Sequence, residues 1–186
     1  MSLSVNKPKV LVIGHSFIRR LESWMERTKS DLSSTIDTKL HGVGGRQVHS
    51  LKHFDLHVVK NFEPEWDMVF LQIGENDICQ QYSASHTASE IIQLAKHIRR
   101  MGVSTVVIGS NIIRPTPRHM KETTYDRKKK KINKELNKVK ESGIKYWRHQ
   151  SSWQKPKYLD RDGVHLNDDG HFKCFCSIRM CVKLYL

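Results

Sequence analysis

A serine in the turn between a strand's carboxyl end and a helix's amino end meets free backbone N–H groups and the positive end of the helix dipole. Ser16 has that setting. It follows the β-branched run Val10–Ile13 and Gly14, and precedes Phe17–Met25, where Ile18, Leu21 and Met25 recur at helical spacing. Such a serine is either an exposed nucleophile or a helix N-cap, for which it is also well suited. Near the other end of the chain Asp162 and His165 stand three apart, just before a final helix. That spacing lets a carboxylate hold one imidazole nitrogen while the other faces a serine, the job an acid does for a catalytic base. An exposed aspartate and histidine in a loop fit it equally. His41-Gly42-Val43-Gly44-Gly45 packs three glycines into four residues. The backbone there takes positive φ or comes close to something, or makes an ordinary strand-to-helix turn.

The elements that must position these residues are readable from periodicity. Apolar runs predict strands at Val10–Ile13, Trp66–Ile73 and Val103–Gly109, alternation predicts a partly exposed one at Thr35–Leu40, and Ile144–Trp147 reads as a short fifth. Between them lie helical patterns at Phe17–Met25, Arg46–Lys60, Ala88–Met101 and about Thr123–Ser142. A last helix opens at Asn167 and runs to about Lys183. Asn167 suits its cap, and Asp168 and Asp169 its positive end. Five alternations of strand and helix predict an α/β domain whose parallel sheet is covered on both faces. In such sheets ligands bind beyond the carboxyl ends of the strands. Ser16, the glycine turn and Gly74-Glu75-Asn76-Asp77 follow strands one, two and three, so they converge on that edge.

In order, Gly14-His15-Ser16, Gly45, Gly74-Glu75-Asn76-Asp77 and Asp162-Gly163-Val164-His165-Leu166-Asn167, with Gly170 in place, resemble the four blocks of the SGNH (GDSL-type) hydrolases. The resemblance covers nearly the whole chain. It implies a three-layer αβα sandwich with a five-stranded parallel sheet in order 2-1-3-4-5. It also implies Ser16 as nucleophile, His165 as general base and Asp162 as the residue orienting it. The Ser16 N–H, the Gly45 N–H and the Asn76 amide would form an oxyanion hole. The expected reaction is ester cleavage, of a short acyl or acetyl group or a lipid, through an acyl-enzyme. No cofactor is expected. One departure stands out: the family's Gly-Asp-Ser is here Gly14-His15-Ser16, so the local support of Ser16 must differ. Val10–Leu21 is similar, besides, to the esterase-like domains in open reading frames of animal transposable elements.

Composition frames these readings. With 186 residues, 38% hydrophobic and 27% charged, the chain suits one soluble domain, with residues 1–7 a flexible extension. It shows no apolar run of membrane-spanning length and no secretory leader, and its four cysteines form no disulfide framework, which together predict an intracellular protein. The net charge of +13 favours polyanionic neighbours. Lys121–Arg148 holds 11 positive and 4 negative residues. Within it, Arg127, Lys128, Lys129, Lys130 and Lys131 offer a contact for nucleic acid or an anionic membrane surface; a solvated helix face is the plainer reading. A catalytically idle domain binding nucleic acid or a protein through that face is thus the alternative to an esterase. A flavodoxin-like nucleotide binder fits less well, because no phosphate-loop glycine pattern follows strand one. His49, His53 and His57 share a helical stripe, but no carboxylate or cysteine completes a metal set there. His171, Cys174, Cys176 and Cys181 suit a packed core better than zinc, and no metal is expected.

Overall fold

The structure is a computed structural model that describes residues 7–48, 66–112, 114, 117, 120–150 and 155–186. Five strands, β1 (Lys9–Gly14), β2 (Asp37–Gly42), β3 (Met68–Gln72), β4 (Thr105–Gly109) and β5 (Ile144–Trp147), form one sheet in the order β2-β1-β3-β4-β5. Every neighbouring pair is parallel. Among the described residues four α-helices flank it: α1 (Ser16–Thr28), α2 (Ala84–Arg100), α3 (Glu122–Leu136) and α4 (Asp168–Tyr185). The fold is the α/β sandwich expected from the sequence.

Alternate residues of each strand feed opposite faces of the sheet. Leu11, Ile13, Val69, Leu71, Val106 and Ile108 pack with Ile91, Leu94 and Ile98 of α2 and Tyr125 and Ile132 of α3. Val10, Val12, Met68, Phe70 and Val107 pack on the other side with Phe17, Ile18 and Leu21 of α1 and Phe175, Ile178 and Cys181 of α4. Double coverage explains why the inner strands β1, β3 and β4 read as unbroken apolar runs, whereas the edge strands β2 and β5 stay partly exposed. Cys174 and Cys181 are buried in the second layer, and Cys176 is half-buried beside it.

Several boundaries differ from expectation. The helix expected from Ala88 starts at Ala84, because Ser83 caps it by accepting from the His86 N–H. The basic helix ends at Leu136 rather than near Ser142. The histidine stripe at 49, 53 and 57, and most of the helix expected over 46–60, lie outside the described residues. Gly42 is needed for close approach: a Cβ there would stand 2.0 Å from the Arg19 backbone nitrogen of α1. Gly45 is needed for conformation, with φ of +73°.

Candidate active site

At the carboxyl end of β1 the chain turns directly into α1. The cap of that helix is His15, whose Nδ1 accepts from the Phe17 N–H at 3.5 Å. Ser16 is therefore the first helical residue, and its hydroxyl is not spent on capping. Ser16 Oγ lies 3.2 Å from Nε2 of His165, and His165 Nδ1 lies 2.5 Å from Oδ2 of Asp162.

The Asp162–His165 segment is shaped by the carboxylate itself. Asp162 Oδ1 accepts from the backbone N–H groups of Val164 and His165, at 2.9 and 2.8 Å, while Oδ2 accepts from the ring. Burial alone would raise the Asp162 carboxyl, but these bonds outweigh it and hold it well below the ordinary range. An ionised carboxylate only accepts, so His165 carries its proton on Nδ1 and presents a bare Nε2 to the Ser16 hydroxyl. Farther on, Asn167 caps α4 by accepting from Gly170 N–H, and its amide donates to the carbonyls of Lys157 and Leu159. This ties the start of α4 to the Lys157–Leu159 segment on the other side of Asp162 and His165.

The turns after β2 and β3 are knitted together. The Asn76 amide donates to the Arg46 carbonyl at 2.8 Å, and Gln47 donates to the Asn76 carbonyl at 3.1 Å. Asp77 accepts from the Val48 N–H through both oxygens at 3.0 Å. Burial, opposed by that bond, pushes the Asp77 carboxyl up to about 7. Arg46 is nearly buried; its guanidinium donates to the carbonyls of Gly14 and His41 at the ends of β1 and β2. Gly45, Gln47, Asn76, Ile78, Tyr125 and Val164 line a cavity of about 280 Å³.

His15 occupies the position where the sequence departs from its resemblance. Its side chain is wholly buried, and Nε2 donates to Glu75 Oε2 at 2.8 Å. Glu75 Oε1 accepts from Gln72 Nε2 at 2.7 Å and from Ile112 N–H at 3.2 Å. Burial would push this carboxyl up, but His15 and the other donors prevail and bring it to about 2. The chain of bonds continues inward. Gln72 Oε1 accepts from His149 Nε2 at 2.7 Å, and His149 Nδ1 then accepts from Ser177 Oγ at 2.8 Å. Ser177 in turn accepts from Trp147 Nε1 at 3.0 Å. Burial lowers His149 to about 4, which keeps it neutral and able to accept from Ser177. Each link has a donor and an acceptor, as a buried polar chain requires. It runs from the nucleophile turn across the sheet to α4.

Among the sequence-predicted residues, Ser16, His165 and Asp162 are joined by hydrogen bonds, and Gly45 and Asn76 meet at one cavity. The basic helix is used differently along its length. Lys128 donates to the carbonyls of Cys79 and Tyr82, and Lys129 and Lys130 both pair with Asp126. Arg127 and Lys131 remain exposed. Sequence reasoning misses His15, Arg46, Glu75, Asp77 and Arg114 as residues of the site. The His15 departure and the charges in Gly74-Glu75-Asn76-Asp77 were the available signals; nothing local marked Arg46 or Arg114. Among the described residues, no group of three metal-binding side chains occurs and no helix is long and apolar enough to cross a membrane.

Comparison with known proteins agrees with this fold. The model of the GDSL-like lipase/acylhydrolase family matches residues 12–172. A search of curated proteins returned no match. Among solved structures, a GDSL-like lipase from Bacteroides thetaiotaomicron superimposes with a TM-score of 0.76 at 18% identity, covering 96% of this chain and 89% of that one. A carbohydrate esterase family 3 protein from Talaromyces cellulolyticus gives 0.68 at 16% identity, covering 96% and 98%. A mutant acetyl esterase solved with acetate ion gives 0.69 at 16%, also covering 96% and 98%.

Proposed function

From the premise that this chain belongs to the GDSL-like lipase/acylhydrolase family, we propose that it is a serine esterase that removes a short acyl group through Ser16, His165 and Asp162. The observation that carries the reading is the unbroken path from Ser16 Oγ through His165 to Asp162, at 3.2 and 2.5 Å. His165 Nε2 takes the hydroxyl proton as Oγ attacks the ester carbonyl. The imidazolium that forms is stabilised by Asp162, and it protonates the leaving alcohol. Water then attacks the acyl-enzyme with His165 again as base. The tetrahedral oxyanion is assigned to the N–H groups of Ser16 and Gly45 and the Asn76 amide. A helix-start N–H has no intrahelical acceptor, so the Ser16 N–H is free for this role.

The size of the cavity supports a short acyl group. The cavity beside Gly45 and Asn76, about 280 Å³, stands at the small end of the roughly 300–1,000 Å³ range of ligand sites. One of the structural relatives is an acetyl esterase, which favours the same reading. The test is hydrolysis of nitrophenyl acetate, butyrate and octanoate by the wild type and Ser16→Ala, with fluorophosphonate labelling of both. Turnover and labelling that vanish in Ser16→Ala, with acetate preferred, are expected. Equal turnover in the two proteins refutes the assignment.

A further inference from the structure

Arg114 reaches the candidate site from the segment after β4, where its guanidinium meets the Asn76 amide and the Phe17 ring. Its Nη2 donates to Asn76 Oδ1 at 2.7 Å. Its guanidinium carbon lies 6.0 Å from the centre of the Phe17 ring, the residue after Ser16. It also lines the same cavity as Gly45 and Asn76. We infer that Arg114 is a positioning residue that orients the Asn76 amide and polarises it toward the substrate oxygen. This inference rests on the esterase reading above.

The orienting part follows from donor and acceptor chemistry. The Asn76 amide is gripped at both ends: Oδ1 by a guanidinium, which can only donate, and Nδ2 by the Arg46 carbonyl, which can only accept. Turning the amide end for end would set donor against donor and acceptor against acceptor. One Nδ2 hydrogen is used on Arg46, so the second is the hydrogen available to an oxyanion. The polarising part follows from charge. A cation bonded to Oδ1 draws electron density toward the oxygen and makes the Nδ2 hydrogens stronger donors. The gain is largest when the atom facing that hydrogen becomes negative, which happens in the transition state and not in the bound ester. The expected signature is therefore in kcat, with KM little changed.

Removing an oxyanion donor altogether costs roughly 10²–10³ in kcat; removing only its polarisation is expected to cost about 10-fold. The experiment is a double-mutant cycle on nitrophenyl acetate with wild type, Arg114→Gln, Asn76→Ala and the double variant. Arg114→Gln, which keeps a neutral donor, is expected to lower kcat about 10-fold with KM within about two-fold. In the Asn76→Ala background the same change is expected to have less than about a two-fold effect. Guanidinium ion at millimolar concentration is expected to restore part of the rate to Arg114→Gly. In ¹⁵N spectra the Asn76 side-chain amide pair is expected to move upfield in Arg114→Gln, a readout independent of turnover. Equal losses in both backgrounds mean a purely structural residue and overturn the inference. So does full activity in Arg114→Gln while Ser16→Ala is dead, which leaves the esterase reading standing. Wild-type turnover in Ser16→Ala overturns both.

Discussion

Replacing Glu75 by glutamine removes one charge from the interior while keeping the shape of the side chain. Three donors converge on this carboxylate, from His15, Gln72 and Ile112, and glutamine can offer an oxygen to only part of that set. The fold lowers the Glu75 carboxyl from 4.5 to about 2, which corresponds to about 3 kcal/mol in favour of the charged form. Glutamine approximates the neutral form, so Glu75→Gln should destabilise the protein by about 3 kcal/mol at pH 7. For a chain of this length that is a fall of about 6–12 °C in Tm, read by circular dichroism melts. The sign with pH is fixed. A depressed carboxyl stabilises above its unfolded value of 4.5 and loses that contribution as pH falls toward 2. The gap between wild type and variant should therefore hold from pH 7 to about 5 and shrink by more than half by about pH 3. A Tm within about 2 °C of wild type at pH 7, or a gap that does not change on acidification, refutes the reasoning.

Other outcomes follow from the same geometry. Asp162→Asn retains an oxygen for the Val164 and His165 N–H groups but sets an N–H₂ against His165 Nδ1. The wrong tautomer then faces Ser16, and kcat on nitrophenyl acetate should fall roughly 10²–10⁴-fold with KM nearly constant. His149 is held at about 4 in the fold, whereas the unfolded chain takes up a proton below about 6.5. Its contribution is present above that value and is lost between about pH 6.5 and 4, by about 3 kcal/mol. In urea titrations across that range, His149→Gln should show a shallower decline than wild type. Gly42→Ala would drive a methyl group into the Arg19 backbone of α1, and a loss of about 2–3 kcal/mol is expected in urea unfolding.

The presence of His15 where a family resemblance leads one to expect aspartate has a physical counterpart in the core. A buried imidazole needs an acceptor for its N–H, and Glu75, 60 residues away, supplies it. The carboxylate thus sits on the turn after β3, and the imidazole bridges it to the Phe17 N–H at the head of α1. His15→Asp alone would place two carboxylates together, a like-charge pair that costs stability. Combining it with Glu75→Gln should recover part of that loss, and a double-mutant cycle of melting temperatures with no coupling would count against this exchange.

The strands, their parallel arrangement and the placement of Ser16, Gly45 and Asn76 on turns after the first three strands were legible in the linear chain, whereas His165 entered only through the resemblance of the Asp162–Gly170 stretch. Periodicity and turn chemistry are local properties, and a sheet covered on both faces leaves unbroken apolar runs. The His15–Glu75 pair, the grip of Arg46 and Arg114 on the Asn76 turn, and the inward use of Lys128 were not legible. Each joins residues about 30 to 60 positions apart whose types are common on any surface. Whether an arginine points to water or into a cavity depends on which turns packing brings beside it. The same holds for Ser16: its type and place allow a cap or a nucleophile, and only the neighbouring imidazole, which takes the cap itself, leaves the hydroxyl free to meet His165.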